Sequence, residues 1–270
     1  MPQLTLPTID PHPSPPVPVR APVGRPEDRT VQILGVEIID VTQRRAVELV
    51  RHMIDSSDGR THQIFFVNAH TLNLAAANPD YRALLNTGSS VFGDGTGVRW
   101  AARMKGVDVR DNLNGTDFVP KLLESTPGRR YFLLGADADT ILRAAAVAEM
   151  RFPNWTQTGF HHGFLCDSQL DANVVRLINA AQPDVLLVGM GNPHQERWIY
   201  EHRAALSVPV CVGVGGLFDF WAGNVTRAPR WLRHLGQEWI WRLLQQPGEK
   251  ARRYLLGNPL FLRRAWADRK

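Results

Sequence analysis

Cysteine is almost missing from this chain of 270 residues, which holds only Cys166 and Cys211. Two thiols make neither a disulfide framework nor a four-ligand zinc site, so a reducing cytoplasm is the expected compartment. Long apolar runs are missing too. The longest, near Asp184–Gly191 and Val208–Gly216, are interrupted by glycine. They are of strand length and fall short of the roughly 18–20 residues that a spanning helix needs. The opening segment, MPQLTLPTIDPHPSPPVPVRAPVGRPED, lacks a basic stretch followed by an apolar core, so no export signal is read there. The nucleophile elbow G-x-S-x-G and the zinc motif H-E-x-x-H are absent, which counts against hydrolases. A Walker loop with its lysine is also absent.

Nine of the 19 prolines lie in the first 28 residues. Proline removes backbone donors and favours extended chain, so residues 1–29 are expected to be a disordered tail. The α/β domain is expected over 30–226. It opens with VQILGVEIIDVT, which alternates apolar and polar residues, and continues with the helical pattern RRAVELVRHMI. Nearly continuous apolar runs at Gln63–Asn68, Arg130–Gly135, Asp184–Gly189 and Val208–Gly213 read as strands covered on both faces. Helical patterns separate most of them, which predicts right-handed crossovers, a mainly parallel sheet and flanking helices. Ligands of such sheets bind beyond the carboxyl ends of the strands.

Residues 227–270 form a third expected unit. They hold eleven Lys/Arg against Glu238, Glu249 and Asp268, a net charge of +8 within a total of +5, and four of the eight tryptophans. The pattern predicts amphipathic helices with a cationic face. Such a face suits an anionic membrane surface, but also a solvated basic face, an oligomer contact or a nucleic acid.

Several stretches can carry chemistry. In SSVFGDGTGV, Asp94 stands between Gly93 and Gly95, accessible on a flexible backbone. Taken alone, GDGTG reads first as a turn. GMGN at Gly189–Asn192 and GVGG at Gly213–Gly216 follow strands, and their backbone N–H groups are weak phosphate signals. In NPHQERWI, Asn192 is the expected N-cap, with Gln195 and Glu196 in the first helical turn near a ligand or, for Glu196, simply facing the helix dipole. The pair His161 and His162, near Cys166, has no zinc spacing and reads as a surface loop.

Together these segments resemble the WecG/TagA/CpsF family of inverting glycosyltransferases, glycosyltransferase family 26, from about Leu34 onward. The resemblance rests on NAHTLNLAAANPDYRALLN, DGTGVRWAARMKG, NGTDF, GNPHQERWI, VGVGGLFDFWAGNVTRAPRWLRHLGQEWIWRLLQQP and RRYLLGNP, in that order. It implies a Rossmann-like fold of the GT-E type with a basic helical appendage that closes over the active site. It also implies transfer of a sugar from a UDP-sugar to a saccharide on a polyprenyl diphosphate. Asp94 matches the base, Asn68 and Gln195 its neighbours. Arg242 and Arg252 match arginines that stabilise the diphosphate. Arg227, Arg253 and the amides of Gly215 and Gly216 are further candidates for that charge. Phe66, Gly93, Gly95, Thr96, Asn112, Asn192 and Glu196 are expected around the substrate.

No metal and no organic cofactor is expected. Phe66 stands where the family commonly has threonine, Asn112 and Glu249 where it has arginine. A different donor or acceptor sugar follows from these departures. The expected location is the inner face of the cell membrane, bound peripherally, and a homo-oligomer is among the expected partners. No nucleic acid is expected on this reading. A noncatalytic scaffold of a polysaccharide assembly and a basic nucleic-acid binder are the alternatives.

Overall fold

The computed structural model describes residues 28–56, 58–165, 168–229, 232 and 238–269, the side chains of residues 249 and 250 excepted. The proline-rich tail therefore lies outside the described residues, apart from Asp28, which pairs with Arg45, and Arg29, where the first strand begins. Cys166, Arg230, Trp231, Arg233 and Leu235 also lie outside them.

Eight strands form one sheet in the order β1-β2-β4-β3-β8-β7-β5-β6. β1 (Arg29–Ile33) and β2 (Val36–Asp40) make an antiparallel hairpin around Leu34 and Gly35. All other pairings are parallel: β3 (His62–Val67), β4 (Ser90–Gly93), β5 (Arg130–Gly135), β6 (Thr156–His161), β7 (Val185–Gly189) and β8 (Val210–Gly213). The central strands β3, β7 and β8 are buried at every residue, as nearly continuous apolar runs covered by helices on both faces must be. β6 differs: TQTGFH at the sheet edge is polar and half exposed, and His161 ends this strand where the sequence suggested a loop.

Helices α1 (Gln43–Asp55), α5 (Gly115–Ser125) and α6 (Ala138–Arg151) bury their apolar sides against one face of the sheet. α2 (Ala69–Ala77), α3 (Pro79–Leu85), α4 (Thr96–Met104), α7 (Ser168–Ala181) and α8 (His194–His202) cover the other. The short α9 (Leu217–Trp221) follows β8.

The C-terminal segment returns to this body. α10 (Glu238–Gln245) and α11 (Pro247–Ala251) lead into a π-helical turn, Arg252–Leu256, and α12 (Gly257–Ala267). α12 seats Phe261 and Ala265 in the same core layer as α2 and α4. Arg264 Nη1 donates to the carbonyl and Oδ1 of Asn73 at 2.9 and 3.0 Å, and Asn73 Nδ2 donates to the Gly257 carbonyl at 2.7 Å. The basic segment is thus anchored by its far end, and its α10 and π-helical turn lie over the carboxyl edge of the sheet.

Candidate active site

The parallel neighbours β3 and β4 end side by side. Asn68 follows β3 as the N-cap of α2, its Oδ1 accepting from the backbone N–H of His70 and Thr71 at 3.0 and 3.2 Å. Asp94 follows β4, and its N–H donates to the Val67 carbonyl at 2.8 Å, which fixes the two side chains as neighbours. Gly95 then turns at φ +91°, a conformation that favours glycine, and donates its N–H to Asn112 Oδ1 at 2.6 Å.

Asp94 stands on the wall of a cavity of about 540 Å³. Trp100, Trp239, Tyr254 and Phe261 give that cavity an aromatic side. Burial raises the Asp94 carboxyl above its ordinary range. The positive charge of Arg242, a hydrogen bond from Asn68 and the charge of Arg253 act against that rise, and Glu238 adds to it. Both arginines come from the C-terminal segment. Arg253 donates through Nη2 to Asn68 Oδ1 at 3.3 Å, while its buried Nε has no hydrogen-bond partner among the described residues. Burial pulls the Arg253 guanidinium below its usual pKa. Arg242 stacks over Phe220 at 4.7 Å.

A second cavity, of about 610 Å³, opens at the ends of β5, β7 and β8. Backbone-rich stretches line it: Gly163, Gly189–Asn192, Gly215 and Gly216, with Asp219 and Phe220 beside them. Asp137 lines it as well, although its carboxylate also caps α6, accepting from Thr140 N and Oγ1 at 2.8 Å each. Asn192, Gly215, Gly216, Arg242 and Arg253 line both cavities, so the two arginines stand on the boundary.

Most expected site residues meet here. Asn68, Asp94, Gly95, Thr96, Asn112, Asn192, Gln195, Gly215, Gly216, Arg242 and Arg253 all line the first cavity. Phe66 lines it as well, but chiefly packs with Phe92 and Phe118 at ring distances of 5.8 and 5.6 Å.

Other expectations need correction. Gly93 does not line either cavity; a Cβ there would lie 2.8 Å from the Val98 side chain, so the glycine serves helix packing. Glu196 is fully buried beneath the wall. Asn192 is not the N-cap of α8: Pro193 holds that position, and the Asn192 amide donates to Glu196 instead. Gln195 has both ends of its amide committed, Oε1 to the Gly215 N–H at 2.9 Å and Nε2 to Glu196 at 2.7 Å. The Gly215 amide is accordingly taken and does not face a phosphate.

Arg227 lies outside both cavities, bound to Asp117, to Thr116 Oγ1 at 2.5 Å and to Glu238 at 3.5 Å. It ties α10 to the start of α5. Arg252 is exposed and lines neither cavity. The His161 and His162 rings lie 4.3 Å apart, tilted by 43°, and among the described residues they join no group of three metal-ligating side chains. Sequence reasoning missed the pocket roles of Trp100, Tyr254 and Asp219, since nothing in their local pattern marks them.

The match to known proteins covers this whole assembly. Residues 31–270 match the glycosyl transferase WecG/TagA/CpsF family. The chain belongs to that family. It is a glycosyltransferase, and membership favours neither the scaffold nor the nucleic-acid reading. Among similar proteins is the N-acetylglucosaminyldiphosphoundecaprenol N-acetyl-beta-D-mannosaminyltransferase of Bacillus subtilis (strain 168). It is 33% identical over 201 residues, covering 74% of this chain and 77% of the relative. The protein of the same name from Staphylococcus aureus (strain NCTC 8325 / PS 47) is 32% identical over 216 residues, covering 79% and 84%. The family match takes in the C-terminal segment, so Arg242 and Arg253 belong to the family region along with Asp94.

Proposed function

We propose that this glycosyltransferase moves a hexose or N-acetylhexosamine-type sugar from a UDP-sugar to a saccharide carried on a polyprenyl diphosphate, with inversion and with Asp94 as base. The carrying observation is one carboxylate on the wall of the first cavity and two arginines on its boundary with the second. The backbone-rich cavity at the ends of β5, β7 and β8 suits the nucleotide, as the carboxyl edge does in open α/β sheets. Its diphosphate would reach Arg242 and Arg253, which line both cavities. The acceptor saccharide would occupy the aromatic cavity, its attacking hydroxyl beside Asp94.

On this reading Asp94 takes the hydroxyl proton as oxygen attacks the anomeric carbon from the face opposite the leaving group. A carboxylate with a raised pKa is the stronger base once ionised. Negative charge then grows on the leaving diphosphate, where the two guanidinium groups stabilise it. Both cited relatives are named for N-acetylmannosaminyl transfer to N-acetylglucosaminyl diphosphoundecaprenol, so that donor and acceptor are the first pair to try.

The acceptor would bring the protein to a membrane surface. No helix among the described residues is long and apolar enough to cross one. The C-terminal segment exposes Leu244, Leu255, Leu256, Leu260 and Trp266 together with Arg252, Arg263 and Arg269, a combination suited to peripheral binding at anionic headgroups. Mass spectrometry of lipid-linked products, with a panel of UDP-sugars and lipid-linked monosaccharide acceptors in vesicles, tests the reading. A product that also forms with Asp94→Asn at the wild-type rate would remove Asp94 as base, and the absence of any product across the panel would remove the substrate class.

A further inference from the structure

Glu196 touches neither cavity, yet it organises the wall between them. It lies fully buried in the first turn of α8 and is held from two elements. Its Oε2 accepts from the hydroxyl of Tyr81, on α3, at 3.1 Å. Its Oε1 accepts from Asn192 Nδ2 at 2.6 Å and from Gln195 Nε2 at 2.7 Å. An oxygen that only accepts leaves the two amides one orientation each, with nitrogen inward. Gln195 must then direct its oxygen the other way, where it accepts from the Gly215 N–H at 2.9 Å. The fit is close: a Cβ on Gly213 would sit 3.0 Å from Gln195 Nε2.

Gly215 itself has φ +57° and, with Gly216, lines both cavities. We propose that Glu196 is a positioning residue which, by fixing the orientation of the Gln195 amide and through it the Gly215 N–H, holds the adjoining Gly216 backbone in the shape that meets the donor diphosphate. The proposal rests on the donor placement given above, but the latch from Glu196 to Gly215 stands on the hydrogen bonds alone. Tyr81 gives it tolerance, because a hydroxyl can donate to a carboxylate or accept from an amide. In Glu196→Gln the new oxygen can therefore still take both amide donors while its nitrogen donates to Tyr81.

Two readings test this on the full-length protein: UDP affinity by calorimetry, and hydrogen exchange of the Gly215 amide in protein labelled with 15N-glycine. Glu196→Met removes the acceptor at similar volume. Loss of such a buried hydrogen-bond set is expected to weaken UDP binding about tenfold and speed Gly215 exchange by a similar factor. Glu196→Gln is expected to recover most of both losses. If Glu196→Met does not fold, Gln195→Leu cuts the latch at its other end and is expected to give the same two losses.

A folded Glu196→Met or Gln195→Leu protein with wild-type exchange at Gly215 overturns the latch. So does a Glu196→Gln protein as impaired as Glu196→Met in both readings. Faster exchange with unchanged UDP affinity overturns the link to the diphosphate. Failure of the wild-type protein to bind UDP at all strikes the donor reading instead, while the exchange measurement still decides the latch.

Discussion

Arg253 Nη2 and Asn68 Oδ1 are 3.3 Å apart although 185 positions separate them in the chain. The contact joins the C-terminal segment to the residue that caps α2 and hydrogen-bonds Asp94. A cap on a helix, a neighbour for the base and a seat for an arginine are thus one asparagine. Its helix and its chemistry cannot be changed separately.

Asn68→Ala removes all three. Loss of the cap is expected to cost about 1 kcal/mol of stability. The larger effect falls on pH dependence. The hydrogen bond from Asn68 lowers the Asp94 pKa, so without it that pKa rises further. The base acts ionised, and the acid limb of kcat/KM moves to higher pH. Activity relative to wild type is expected to be lower at pH 6 than at pH 8, which a pH–rate profile checks.

Asp94→Asn is expected to lower turnover by about 10²–10⁴, the usual contribution of a positioned base, with UDP affinity within about threefold. Stability should move the other way. The folded-state pKa is raised, so the folded protein binds the Asp94 proton more tightly than the unfolded chain does. Stability from this group is lost as pH rises through the folded value, and at neutral pH the buried carboxylate is a cost. The variant is expected to melt no lower than wild type at pH 7.5, measured by calorimetry.

How far the chain could be read depended on where each element ended up. β3, β7 and β8 were legible because strands covered on both faces are nearly continuously apolar, β3 after its first two residues His62 and Gln63. β6 was not, since an edge strand reading TQTGFH carries neither alternation nor an apolar run. Asp94 gained its place only from family resemblance, because GDGTG by itself is turn chemistry. Arg227 looked like any other phosphate-binding candidate until Asp117, 110 residues away, was seen to claim it. The buried role of Glu196 was hidden for the same reason, as its partner Tyr81 lies 115 residues distant.

Glu196 predicts a second pH effect, in stability. Burial pushes its carboxyl from 4.5 up to about 7, against hydrogen bonds from Gln195, its own backbone, Tyr81 and Asn192. Tyr81, itself raised by burial and by the carboxylate, stays neutral in this range, and Arg197 is the charged neighbour acting on that hydroxyl. With the folded pKa above the unfolded one, the stabilising contribution is full below about pH 4.5, falls as pH rises to about 7 and is level beyond. Glu196→Gln does not titrate. The wild-type minus variant difference in urea-unfolding free energy is expected to decline by on the order of 2 kcal/mol between pH 5 and pH 8.

Arg252 and Arg253 are adjacent, yet the structure sends them to different surroundings. They open the π-helical turn Arg252–Leu256, whose wider winding changes which side chains face the domain. Arg253 lines both cavities and reaches Asn68, whereas Arg252 is exposed and lines neither. The family pattern pointed to Arg252 in the diphosphate clamp, and the turn favours its neighbour. Arg253→Met is therefore expected to lower kcat by about 10²–10³, as loss of one fixed donor to a developing anion does. Arg252→Met should leave turnover on a short-chain, detergent-soluble acceptor within about twofold, because its side chain is outside the cavities. Its loss should appear on vesicles rich in anionic lipid, as binding weaker by about 1 kcal/mol, roughly fivefold. Steady-state kinetics and vesicle sedimentation on the two single variants separate the roles. If Arg252→Met proves the kinetic lesion and Arg253→Met the silent one, the inward arginine has been assigned to the wrong side of the turn.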